Sequence, residues 1–233
     1  MTLTTAVRPT PEEFAGYYAR YIALVPEAGA VAALERQGDV MSGFLGALSE
    51  AQGTLRYGAE KWSVKQVLGH VADAERVFAY RAMRFVRSRA SEWNIDANRI
   101  GILGFSAGGE VAALASTKYD AGNAGAADPI ERFSSRPAFE ALIYPGIPKQ
   151  MVLTKQTPPA FLVCGEQDRP GIAQGLPELY LALKRAGVSA ELHVYAGVGH
   201  GFGVRATNRP PVSGWLQLFL DWLTARQERA AKP

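Results

Sequence analysis

The chain has 233 residues, 48% of them hydrophobic and 20% charged, and its net charge is +3. That composition excludes a disordered chain and leaves room for one α/β domain or two small ones. Its lysines and arginines are scattered, so the mild basicity reads as a solvated surface, with no nucleic-acid partner implied. The single cysteine, Cys164, excludes an internal disulfide and a cysteine-cluster metal site, and its neighbours Phe161, Leu162 and Val163 predict a buried, inert thiol. The first residues carry no apolar core of signal-peptide length, and no later run approaches a membrane span, which predicts a cytoplasmic protein with no membrane partner.

Taken in order, Thr10 as N-cap, Pro11 at the first helical position and Glu13 closing a capping box predict a short helix to about residue 22. Pro26 ends it. Over 28–48 the residues Val31, Leu34, Val40, Met41, Phe44, Leu45 and Leu48 recur at a helical period and predict a second helix. Ser63 and Gln66 form another capping box, opening an amphipathic helix over 64–87 with Val64, Val67, Leu68, Val71, Ala74, Phe78, Ala82 and Phe85 on one stripe. Between 88 and 98 long helices give way to short apolar runs separated by Gly and Pro, which predicts a helical segment over 1–90 and a second domain over 91–233. There the strand candidates 100–104, 139–144, 160–164 and 191–195 alternate with helices at about 107–118, 174–186 and 213–227, the pattern of a parallel α/β sheet flanked by helices. Residues 120–136, rich in Gly, Ala and Asp, read as a loop over the carboxyl edge of the sheet, a partial lid.

The stretch RIGILGFSAGGE, 99–110, organises this second part. An apolar strand leads directly into Gly104-Phe105-Ser106-Ala107-Gly108. A serine on a sharp strand-to-helix turn is held strained with its hydroxyl exposed, and small residues two positions either side let the turn close. Ser106 is the candidate nucleophile, and the Ala107 N–H at the start of the following helix is the candidate oxyanion donor.

A serine hydroxyl needs an imidazole to take its proton and a carboxylate to fix the imidazole's tautomer. Asp168 follows the run Phe161-Leu162-Val163-Cys164, and His200 follows Leu192-His193-Val194-Tyr195 in a glycine-rich loop. The order Ser106, Asp168, His200 puts all three just past carboxyl ends of strands, where open parallel sheets hold their sites. Glu166 competes with Asp168, since it lies nearer the strand. His193, alternating with apolar residues, reads as structural.

Two resemblances follow from these residues. KWSVKQVLGHVADAERVFAYRAMRF, 61–85, resembles the DinB-like family of helical-bundle metalloenzymes, which implies that His70 is the first metal ligand. That family needs two further histidines on a later helix, and only His193 and His200 remain, both in another context. No metal or cofactor is therefore expected, and His70 reads as a polar residue at a helix seam. From Glu92 onward, WNIDANRIGILGFSAGGE, ALIYPG, FLVCGEQD, ALKRAGVSAELHVYAGVGHGFG and WLQLFLDWL resemble esterases of the α/β-hydrolase fold in the acetylxylan-esterase-like, dienelactone-hydrolase-related group. The resemblance implies hydrolysis of a small-molecule carboxylic ester through an acyl-enzyme on Ser106.

Such hydrolases carry strands before the nucleophile strand and a second oxyanion donor in an early loop. Here a helical segment stands in their place, so the nucleophile strand is expected at a sheet edge, covered either by the N-terminal helices or by a second copy of the chain in a homodimer. The rival reading is a fused scaffold that keeps the triad residues without turnover.

Overall fold

The structure, a computed structural model, describes residues 8–26 and 29–230. They divide between two units, Met1–His70 and Val71–Pro233. In the first unit the helix expected over 10–22 is instead three pieces, 3-10 turns at Pro11–Glu13 and Gly16–Tyr18 and one α-turn at Ala19–Ile22. Ala15 is extended, with φ −67° and ψ 140°, and interrupts the helix just before Gly16, a poor helix former. The Glu13 side chain needed for that capping box lies outside the described residues, as do those of Val31 and Leu34 in helix α1 (Ala30–Gly46). Helix α2 (Val64–Ser88) starts at its predicted box: the Ser63 N–H donates to Gln66 Oε1 at 2.9 Å and the Gln66 N–H to Ser63 Oγ at 3.3 Å.

The second unit holds four parallel strands, β1 (Ile102–Phe105), β2 (Glu140–Ile143), β3 (Ala160–Gly165) and β4 (Ala190–Tyr195), in the order β1-β2-β3-β4. Helices α3 (Ala107–Thr117), α4 (Gly175–Arg185) and α5 (Trp215–Ala230) follow β1, β3 and β4. Register puts Leu103, Ala141 and Phe161 on one face and Gly104, Leu142 and Leu162 on the other. The Phe161 side belongs to α5, whose Phe219 and Trp222 rings lie 5.3 and 5.6 Å from the Phe161 ring. The Gly104 side belongs to α3: a Cβ on Gly104 would come within 2.1 Å of the Gly108 carbonyl oxygen, so only glycine lets helix and strand approach this closely. Strands β2 and β3 are buried on both faces, which is why they read as continuous apolar runs. Cys164 is buried in β3, and burial, with Asp168 nearby, pushes its thiol up to about 11. Strand β1 has one strand neighbour and, among the described residues, no other.

Two expectations change. In the second unit the apolar stripe of α2 faces outward, with Val71, Phe78 and Phe85 at 52%, 64% and 39% exposure. The covered face instead carries Met83 and the arginines that hold the segment 120–136. Arg84 donates to Asp120 and Glu131 and, at 3.1 Å, to the Phe133 carbonyl; Arg87 donates to the Ser134 and Arg136 carbonyls. Burial works against the Asp120 carboxylate, but hydrogen bonds from Arg84 and the Gly122 N–H, together with the Arg84 charge, hold its pKa below the ordinary range. Periodicity alone ranked the arginines as solvent-facing, whereas uncapped loop carbonyls and carboxylates attract guanidinium groups more strongly than they attract apolar side chains. The segment itself is not a lid. It links the end of α3 to the start of β2, and in a parallel sheet that places it at the amino ends of the strands, opposite the site.

Candidate active site

Ser106 sits where β1 turns into α3, with φ 51° and ψ −123°, a conformation that an L-residue adopts only under constraint. The constraint is visible: the Ser106 N–H is pinned to the Ile143 carbonyl at 2.9 Å, while its own carbonyl accepts from Gly109 and Glu110 at 2.9 and 3.2 Å. Of the two glycines expected to permit the turn, Gly104 is sterically required, whereas a Cβ on Gly108 would meet nothing. Gly109, whose Cβ would meet Pro145 at 2.9 Å, is the tighter position on the helix side. The first N–H groups of α3, Ala107 among them, have no intrahelical acceptor and carry the positive end of the helix dipole beside the hydroxyl.

Asp168 and His200 meet because the loops that carry them are tied together. The Gln167 N–H donates to the Val198 carbonyl at 2.9 Å and the Glu166 N–H to that of Tyr195 at 2.9 Å. A Cβ on Gly165 would lie 2.1 Å from the Val198 oxygen, so the end of β3 must be glycine for the histidine loop to reach it. Ser106 Oγ then lies 2.8 Å from His200 Nε2, and His200 Nδ1 lies 2.8 and 3.0 Å from the two Asp168 oxygens. The Asp168 side chain is fully buried, and the His200 side chain is 31% exposed. Glu166, the competing carboxylate, instead accepts the Gly197 N–H at 3.0 Å. His193 bonds Glu191 at 2.9 Å within its strand, and His70 lies edge-on to Trp62, ring centroids 4.9 Å apart. Among the described residues no three His, Cys, Asp or Glu side chains gather as metal ligands would.

Two further side chains belong to this site, and neither is visible in a motif. Tyr144, just past the end of β2 as Ser106 is just past β1, also has positive φ, 43°, a genuine outlier for an aromatic residue. Its ring lies edge-on to the His200 ring at 4.9 Å, and its hydroxyl accepts the Gly203 N–H at 3.1 Å, so it supports the histidine loop. Arg169 follows Asp168 directly. Its N–H donates to the carboxylate at 2.7 Å, and Nη2 comes within 3.1 Å of His200 Nε2, where it shares a lone pair with the Ser106 hydroxyl. Position next to the aspartate is the one sequence signal for it. A cleft of about 830 Å³ opens from Ser106 between the segment after β2 and helix α4.

A serine on a strained strand-to-helix turn, with an aspartate and a histidine supplied in that order by the ends of later parallel strands, defines an α/β-hydrolase arrangement. The chain belongs to the dienelactone hydrolase family, whose profile matches residues 59–215. It is similar to an acetylxylan esterase of Xylanibacter ruminicola, 30% identical over 166 aligned residues, covering 57% of this chain and 31% of that protein. Among solved structures it is similar to an acetyl ester-xyloside bifunctional hydrolase from Caldicellulosiruptor lactoaceticus, at TM-score 0.60 and 34% identity over 65% of each chain. The esterase Est2 of Thermogutta terrifontis shares the fold at TM-score 0.56 and 22% identity, over 66% of this chain and 64% of that one. The chain thus spans under a third of the curated relative and under two thirds of these structures. Among the described residues, no helix is long and apolar enough to cross a membrane.

Proposed function

We propose that the chain is a serine hydrolase that cleaves carboxylic esters, acetyl esters among them, through an acyl-enzyme on Ser106. One observation carries this reading, the unbroken hydrogen-bond chain from Ser106 Oγ through His200 to buried Asp168. Asp168 accepts from Nδ1–H and so leaves Nε2 as the unprotonated nitrogen, whose lone pair the Ser106 hydroxyl shares with Arg169 until it takes the serine proton as Oγ attacks the ester carbonyl. The imidazolium that forms is stabilised by Asp168. Negative charge developing on the carbonyl oxygen is met by the Ala107 N–H and the α3 terminus, His200 returns the proton to the departing alcohol, and water repeats the sequence to release the acid. All of these groups lie within 91–233.

A fluorophosphonate should label Ser106 stoichiometrically, and p-nitrophenyl acetate should be turned over. Ser106→Ala should abolish labelling and lower kcat by at least about a thousandfold. Labelling that survives Ser106→Ala would refute the assignment.

A second reading has its own observation. The sequence identifies one oxyanion donor, Ala107, and a missing donor typically costs about a hundred- to a thousandfold in rate. On that reading the serine is labelled but turnover is feeble. The outer edge of β1, which has no strand neighbour among the described residues, is the place where a second copy would pair, giving a homodimer that a charge at Ile102 dissociates in sedimentation. The likeness of 61–85 to DinB-like helices predicts nothing for catalysis, and a stoichiometric zinc or nickel ion lost in His70→Ala would revive it.

A further inference from the structure

The cleft at Ser106 sorts its lining by depth. Its charged residues Glu110, Arg169, Glu178 and Arg185 are all exposed, while Ile172 and Leu179 are 5% exposed and Ile147, Met151 and Leu153 are half-buried against the core. Glu110, Glu178 and Arg185 therefore stand at the rim, Arg169 lies beside His200 at the reaction centre, and hydrocarbon forms the depth. No aromatic residue lines it among the described residues, so the cleft offers no ring on which a sugar could stack. Its volume of about 830 Å³ lies in the range that takes a drug-sized ligand, far beyond a two-carbon acyl group. Ile147 helps close it by packing against α4 where Gly175 would place a Cβ at 3.1 Å.

We infer that this cleft binds a linear aliphatic substituent of several carbons on the ester, rather than a carbohydrate. The inference rests on the proposed ester hydrolysis and names its substrate class. The substituent can enter from the acyl or the alcohol side of the ester, since both flank the carbonyl held at Ser106. Each methylene moved from water into an apolar wall favours the bound state, so kcat/KM should climb with chain length until the cleft is filled.

The experiment uses the full chain and two substrate series, p-nitrophenyl esters from acetate to decanoate and alkyl acetates from methyl to octyl. One series should show kcat/KM rising about tenfold or more over four added methylenes, and which series does so identifies the side that fills the cleft. Met151→Trp, at a half-buried position in the cleft wall, should move the optimum to shorter chains. Falling kcat/KM with length in both series, or faster deacetylation of acetylated xylose than of any aliphatic ester, would overturn the inference while leaving ester hydrolysis intact. No turnover in either series together with no fluorophosphonate labelling would overturn both.

Discussion

In the second unit Leu142, Ile143, Phe161, Leu162 and Val163 have no solvent exposure, whereas in the first unit Tyr17, Tyr18, Leu24, Val40, Met41 and Phe44 remain 42–78% exposed. In the first unit the capping box predicted at Ser63 closes, as does one at Ser49 before the short helix Glu50–Gly53, although the helix expected over 10–22 breaks into three pieces. The difference lies in what the apolar residues face. A strand buried on both sides needs neighbours in register and helices on its faces, and β2 and β3 have both, while a helical stripe is buried only if a partner surface is supplied. Local pattern therefore sets the elements of both units, and long-range pairing sets the core of one.

The largest expected effect tests that contrast directly. Phe161 is enclosed by Phe219, Trp222 and His193, and Phe161→Ala should cost about 3–5 kcal/mol by chemical denaturation. Phe44→Ala, at a 58% exposed position, should stay within about 0.5 kcal/mol. Equal losses would mean that Phe44 is packed as closely as Phe161.

Glu140 is the exception inside the apolar unit. It is fully buried, its oxygens have no hydrogen-bond partner among the described residues, and the Ser116 hydroxyl beside it gives slight relief at a geometry too poor to count as a bond. Burial pushes its carboxyl up from 4.5 to about 8. Unfolded chains release that proton near 4.5 and the folded protein holds it to about 8, so this group makes stability fall as pH rises through that window. Against Glu140→Met, the wild type should lose stability between pH 5 and 8 by up to about 1.4 kcal/mol per pH unit. Parallel curves for the two proteins would show that the carboxyl has found a partner.

A smaller effect belongs to Arg84, whose side chain is 12% exposed and spans Asp120 and Glu131. Arg84→Met should cost about 1–3 kcal/mol, because both carboxylates lose a charged donor. It should leave ester turnover unchanged, since the segment it holds lies at the opposite end of the sheet from Ser106.

Which parts were legible follows from the range of the forces. The four strands and the three following helices stand within two residues of their sequence positions, apart from the end of α5, because each is declared by a local apolar run and a turn. The chain order of Ser106, Asp168 and His200 was readable for the same reason, and their meeting depends on glycine at 165, which composition marks but does not explain. Arg169 and Tyr144 escaped notice because their roles arise from side-chain proximity across loops. The outward facing of the α2 stripe lies beyond periodicity, which reports a face and not its partner.

The smallest effect is expected at the start of α2. Ser63 is 6% exposed, accepts the Gln66 N–H and donates its own N–H to the Gln66 side chain, so two backbone groups depend on the pair. Ser63→Ala should cost about 1 kcal/mol and speed hydrogen exchange at the Gln66 amide, while Ser63→Asp should retain most of the stability by restoring an acceptor. Ser49→Ala removes the same motif from the four-residue helix Glu50–Gly53, where only one turn depends on it, and should cost less. If Ser63→Ala costs nothing and Gln66 exchange is unchanged, α2 is held by its arginine contacts further along, and its beginning is set by the fold around it rather than by its own cap.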